Sequence, residues 1–84
     1  MSTVKIDGRH ISAARDLLGM SQEELARAAD VSENTIFNIE NRRTLAREST
    51  ISKIRAALER RGIEFMNGGK PGVRLDPDKA IIPV

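Results

Sequence analysis

The chain has 84 residues and no Cys, so it can form one small domain but no disulfide framework and no thiolate metal site. Its formal net charge is only +2, and the charges are unevenly placed. No apolar run reaches the length of a signal peptide or a membrane span, so the sequence predicts a cytoplasmic protein without membrane contact.

The uneven charge separates two parts of the chain. Residues 1–41 contain four Lys or Arg and seven Asp or Glu, whereas residues 42–61 contain seven Lys or Arg and two Glu. A basic block of this kind is expected where a protein contacts nucleic-acid phosphates. A solvated helix face explains the same block equally well, so both interpretations stay open.

The first predicted helix runs from about Asp7, a possible N-cap, to Leu18, and Gly19 is a natural stop. Its apolar residues fall on one face at helical spacing. They are Ile11, Ala14, Leu17 and Leu18.

Two short helices are predicted next. One spans Ser21 to Ala29 and begins with a capping box, because Ser21 is followed three residues later by Glu24. The other spans Ser32 to about Glu40, with Ser32 as its N-cap.

A fourth helix is predicted from about Glu48 to Arg61, with Gly62 as its end. Its apolar stripe consists of Ile51, Ile54, Ala57 and Leu58. Arg60 and Arg61 are expected to serve the C-terminal dipole of this helix rather than to contact a ligand.

Beyond Gly62 the apolar period changes from helical to alternating, which predicts a short hairpin. Ile63 to Met66 forms one strand and Val73 to Leu75 the other, joined by a Gly- and Pro-rich loop. Because an isolated two-stranded ribbon is barely stable in water, we expect it to pack on the helices, to pair with a second copy, or both. The tail from Asp76 to Val84 is predicted to be irregular, with a possible edge strand at Ala80 to Ile82.

The segment from Gln22 to Asn41 has the pattern of two helices that cross steeply at a tight turn. With Gln22 as position one, small or apolar residues are needed at positions four, five, eight, ten, fifteen and eighteen. They are Leu25, Ala26, Ala29, Val31, Ile36 and Ile39. The turn position, where Gly is usual, is Asp30, a residue that enters the left-handed region more readily than most.

The run Ile11-Ser-Ala-Ala-Arg-Asp-Leu-Leu-Gly-Met-Ser-Gln-Glu-Glu-Leu-Ala, with Val31-Ser and Ile36-Phe-Asn-Ile-Glu-Asn, resembles the Cro/CI-type (XRE) helix-turn-helix regulators. The resemblance covers roughly Ile11 to Leu58. It implies a mostly α fold: a four-helix DNA-binding domain over residues 1–62, followed by a short C-terminal β-hairpin and tail over residues 63–84.

The resemblance also implies roles for individual residues toward double-stranded DNA. The third helix would enter the major groove, where Asn can read adenine, Glu can read cytosine and Phe can touch a thymine methyl. The base-reading residues would be Ser32, Glu33, Asn34, Phe37 and Asn38. The phosphate contacts would come from Gln22, Asn41, Arg42 and Arg43.

Three of these residues have simpler explanations, which stay open. Glu33 could serve only the dipole at the helix N-terminus, Phe37 could be buried against a partner or the tail, and Asn38 could be an ordinary surface residue. The resemblance further implies a structural ion pair between Arg15 and Glu40 that ties the first helix to the third.

The sequence does not predict an enzyme, a cofactor, a metal or a small-molecule ligand. His10 is the only His, and it has no second metal ligand near it in the sequence. Neither paired carboxylates nor a nucleophile with its base can be recognised, and the glycines at 68 and 69 lie in a turn rather than before a helix.

Because one reading helix covers only a few base pairs, we expect a homodimer on a palindromic operator. The expected interface is the fourth helix with the hairpin, through Phe65, Met66, Val73 and Leu75. An autoregulated genetic switch fits a chain with no sensing domain. The alternative is a helix-turn-helix-fold module that docks on another protein, as an antiactivator or antitoxin does. The net-acidic first half and Glu33 on the reading face favour it, and its binding should depend little on salt.

Overall fold

The fold is described by a computed structural model over residues 6–41, 47–66 and 72–79. Its elements in chain order are α1 Gly8–Leu18, α2 Gln22–Ala29, α3 Glu33–Glu40, α4 Glu48–Glu59, β1 Ile63–Met66 and β2 Gly72–Leu75. This order confirms the predicted fold class, four helices followed by a short hairpin. Within these ranges, no helix has both the length and the apolar character needed to cross a membrane.

The predicted N-caps of the first three helices are confirmed. The Asp7 carboxylate accepts hydrogen bonds from the backbone N–H groups of Arg9 (2.8 Å) and His10 (3.3 Å). Ser21 and Glu24 form the reciprocal capping box, and Ser32 Oγ accepts the N–H of Thr35 at 3.0 Å. These caps satisfy backbone donors that have no partner within the helix, so they fix where each helix begins.

The end of α4 differs from the prediction. The helix ends at Glu59 rather than at Arg61, because the N–H groups of Arg61 and Gly62 turn back to carbonyls only three residues earlier. The Arg61 guanidinium donates to the carbonyl of Ala57 at 3.1 Å, as expected of a C-terminal cation. Arg60 instead reaches the carbonyl of Ala28, at the end of α2, at 3.4 Å.

The core lies where the four helices meet. Its largest fully buried side chains come from every helix and are Ile11, Leu18, Leu25, Ile36, Ile54 and Leu58. The prediction for Leu17 is wrong: its spacing places this residue on the apolar stripe of α1, but the residue is 45% exposed. At 100° per residue it lies beyond the edge of the face that Ile11, Ala14 and Leu18 share, so the packed neighbours cannot cover it.

The hairpin packs on the helices, which is one of the two expected arrangements. β1 and β2 are antiparallel, with Ile63 opposite Leu75 and Phe65 opposite Val73. These four side chains lie on one face of the ribbon and pack against the core, and β2 lies along α1. Met66 lies on the other face with Glu64 and Arg74, which form an ion pair across the strands.

Candidate nucleic-acid interface

The α2–turn–α3 unit has the geometry that its residue spacing predicts. Asp30 adopts the left-handed conformation (φ 57°, ψ 47°) and ends α2, and the Val31 N–H donates to the carbonyl of Ala26 at 3.0 Å. The residues at the shared helix faces are buried, except Val31, which is half-buried. They are Leu25, Ala26, Ala29, Ile36 and Ile39. The turn therefore holds α3 at a fixed angle, with its opposite face open to solvent.

The outward face of α3 presents four of the five residues expected to read bases. Glu33, Asn34 and Phe37 are exposed, Phe37 to 39%, while Asn38 is half-buried. Ser32 is also exposed, but its hydroxyl caps the helix and lies 2.7 Å from the Thr35 hydroxyl. Its side chain is thus already engaged, and it is the least available of the five for base contacts.

The residues expected to contact phosphates fall into two groups. Gln22 is the first residue of α2, and its side-chain Nε2 donates to Glu40 Oε1 at 3.0 Å. Asn41 follows α3, and its Nδ2 donates to the carbonyl of Phe37 at 2.8 Å. Arg42 and Arg43 lie outside the described residues. Gln22 and Asn41 stand at the two ends of the helix-turn-helix unit in the sequence, and the fold brings both to the C-terminal end of α3.

The structure brings Arg15 and Glu40 together in a bidentate pair. Arg15 Nε donates to Glu40 Oε2 at 2.9 Å, and Nη2 donates to Oε1 at 3.0 Å. These hydrogen bonds raise the pKa of the Arg15 guanidinium further above its ordinary value, against the opposing effect of partial burial. The Arg15 and Glu40 side chains are only 16% and 6% exposed, so the pair ties α1 to the end of α3 in a largely water-free setting.

A comparison with protein-family models matches residues 11–65, more than half of the chain, to a helix-turn-helix model. The chain belongs to the Cro/CI-type (XRE) helix-turn-helix family. Its members are DNA-binding regulators, and the family is not an enzymatic one. A search of curated proteins finds no match.

In this XRE-type protein, one position essential to the unit was missed by sequence reasoning. Gly8 lies in the first turn of α1 directly against the last turn of α3. A Cβ added there would lie 2.2 Å from the Ile39 carbonyl oxygen and 2.8 Å from the Glu40 Cα. The signal in the sequence is weak: a Gly directly after the N-cap, where most residues would favour the helix more.

Proposed function

We propose that this DNA-binding regulator recognises a palindromic operator as a homodimer and controls its own gene. The observation that carries the proposal is the solvent-facing row of Glu33, Asn34 and Phe37 on α3, held out by a well-formed turn. A helix with this placement fits the major groove, whose base edges differ for every base pair.

The proposed division of labour follows the chemistry of the side chains. Asn34 and Asn38 offer an amide donor and acceptor that match adenine, Glu33 accepts from the cytosine amino group, and the exposed edge of Phe37 suits a thymine methyl. Gln22, Asn41, Arg42 and Arg43 would hold the phosphate backbone and fix the register of α3 in the groove. Salt-dependent affinity would then come mainly from the two arginines, because only charged contacts release counterions.

The test is a fluorescence-anisotropy titration with duplex DNA flanking the protein's own gene, at two salt concentrations. The double variant Asn34→Ala/Asn38→Ala is expected to lose selective binding, because each bidentate base contact contributes about 1–3 kcal/mol of discrimination. Its matched control is Ser12→Ala on α1, outside both proposed interfaces, which should bind as the wild type does.

Selective, salt-sensitive binding that only the α3 variant loses would establish operator recognition through that helix. A folded wild-type protein without selective binding at either salt concentration contradicts the proposal. It would favour the protein-docking alternative, for which weak salt dependence is expected.

The homodimer is proposed through the C-terminal hairpin and α4, with residues 63–84 as the dimerisation element. Phe65, Val73 and Leu75 are half-buried against the helices, and the Arg55 guanidinium lies 5.7 Å from the centroid of the Phe65 ring. Met66 is 41% exposed on the opposite face of the ribbon. Phe65, Val73 and Leu75 would therefore support the hairpin from its helix-facing side. Met66, on the opposite side, would contact the partner directly.

Met66→Asp is expected to convert the dimer to a monomer, because a carboxylate would lose its water in an apolar contact without gaining a partner. Sedimentation-velocity runs over a range of protein concentrations measure the change. Leu17→Asp is the matched control, since Leu17 is similarly exposed, at 45%, but lies on α1. A wild-type protein that stays monomeric throughout, or a Met66→Asp variant that still dimerises, argues against this interface.

A further inference from the structure

We propose that Glu40 is a positioning residue for DNA binding, which holds the Gln22 amide in the orientation that meets a phosphate. The inference rests on the proposed function, because it takes the phosphate contact of Gln22 from there. For Glu40, the family resemblance implies only a structural ion pair with Arg15. The Glu40 carboxylate accepts hydrogen bonds both from Arg15, its ion-pair partner, and from Gln22, the first residue of α2.

The Glu40 carboxylate is fixed by three donors. Oε2 accepts from Arg15 Nε at 2.9 Å, while Oε1 accepts from both Arg15 Nη2 and Gln22 Nε2, each at 3.0 Å. The side chain is 6% exposed, so water competes little for these oxygens. Glu40 is therefore a rigid acceptor rather than a mobile surface acid.

Arg15 fixes the other end of the network to the backbone. Its Nη1 donates to the carbonyl of Met20 at 2.9 Å, in the linker one residue before the Ser21 cap of α2. The position of Glu40 relative to the first turn of α2 is thus set twice, through Gln22 and through Arg15. A planar guanidinium that makes several directed bonds is well suited to this role.

One N–H of the Gln22 amide is used by Glu40, which defines the direction of the second N–H because the amide group is planar. A free Gln side chain would lose much of its rotamer freedom on binding a phosphate, whereas this one is already ordered before DNA arrives. Arg15 also neutralises the carboxylate, which would otherwise repel a nearby phosphate.

A structural ion pair and a positioning residue predict different couplings, and a double-mutant cycle separates them. Glu40→Asp keeps the charge and lets the long Arg15 side chain follow the carboxylate, but withdraws the acceptor from Gln22. Gln22→Ala removes the amide. The matched control is Glu59→Asp, the same shortening in an Arg–Glu pair on α4 whose oxygen lies 3.0 Å from Arg55.

Binding is measured by anisotropy with a labelled random-sequence duplex at one low salt concentration, since a phosphate contact does not depend on sequence. Gln22→Ala is expected to weaken binding about tenfold, because hydrogen bonds to charged groups are among the stronger ones. Glu40→Asp should weaken it about threefold to tenfold in the wild type and hardly at all in the Gln22→Ala background. Glu59→Asp should have no effect in either background.

Two further readouts keep the test decisive if Glu40→Asp folds poorly. Gln22→Asn leaves the Arg15–Glu40 pair intact, but its shorter side chain cannot reach both the Glu40 carboxylate and a DNA phosphate. It should therefore weaken binding as much as Gln22→Ala does. In ¹⁵N spectra of the wild type without DNA, the Gln22 side-chain NH₂ signals should lie well away from free-amide positions because Glu40 holds the amide. This measurement needs no Glu40 variant, and signals at free-amide positions would contradict the proposal.

Equal losses from Glu40→Asp in both backgrounds would show a purely structural role and overturn the proposal. Wild-type affinity in Gln22→Asn or Gln22→Ala would also overturn it, while leaving operator binding by α3 intact. A wild-type protein that binds no DNA at all would overturn the proposed function as well, so the two failures are distinguishable.

Discussion

Gly8→Ala is expected to destabilise the fold by about 3 kcal/mol, at the upper end of the range for overpacking. In most helices this change is favourable by about 0.5–1 kcal/mol, because Ala loses less backbone entropy on folding. Here the sign reverses, since the new methyl carbon would lie 2.2 Å from the Ile39 carbonyl oxygen and 3.0 Å from that of Glu40. Both obstacles are backbone atoms, so relief requires α3 to move away from α1.

Thermal denaturation followed by circular dichroism measures the effect, and a loss of this size lowers the Tm of so small a domain by about 12–24 °C. Gly72→Ala is the first control and should be close to neutral, because an added Cβ meets nothing within 4 Å. Gly19→Ala is the second: it also has open space, but its φ of +69° costs a non-glycine residue about 1–2 kcal/mol. If Gly8→Ala melts at or above the wild-type temperature, the close α1–α3 contact does not exist.

Helix starts could be predicted from the sequence, whereas the need for glycine at position 8 could not. Capping residues act on their own backbone neighbours, so Asp7, Ser21 and Ser32 mark their helix starts correctly without knowledge of the fold. Gly8 is required by a contact with α3, some thirty residues later in the chain, and no local rule reveals such a contact.

The same distinction applies to the candidate interface. The helix-turn-helix spacing fixes which face of α3 is buried, so the exposure of Glu33, Asn34 and Phe37 could be predicted from the sequence. The hydrogen bonds of Gln22 to Glu40 and of Asn41 to the Phe37 carbonyl could not, because polar side chains choose among several partners by geometry. These contacts decide which amide groups are ordered before DNA binds.

The end of α4 shows a further limit of local patterns. Gly62 predicts a helix end at Arg61, but α4 ends two residues earlier, at Glu59, and β1 begins at Ile63. The Asp76 N–H donates to the Gly62 carbonyl at 2.8 Å and closes the base of the hairpin. Tertiary pairing with a strand ten residues away, rather than helix propensity, sets this boundary.

Arg15→Met is expected to lower stability by about 3 kcal/mol, the second large effect predicted for this fold. Removing the guanidinium leaves the Glu40 carboxylate, whose side chain is 6% exposed, without its charged partner, and breaking a buried pair on one side costs about 3–5 kcal/mol. The lower end applies because Gln22 still donates to Glu40 and Arg15 itself is 16% exposed.

The informative comparison is with the double variant Arg15→Met/Glu40→Leu, measured by urea denaturation. Two apolar side chains of similar size leave no unpaired charge, so the double variant should be more stable than either single variant. Arg74→Met, in the exposed Arg74–Glu64 pair of the hairpin, is the control and should change stability by less than about 1 kcal/mol. Additive losses in the double variant would mean that the two side chains are not coupled, which contradicts this explanation. A double variant that regains stability but binds DNA weakly would instead show that the pair serves the order of the binding surface more than the stability of the fold.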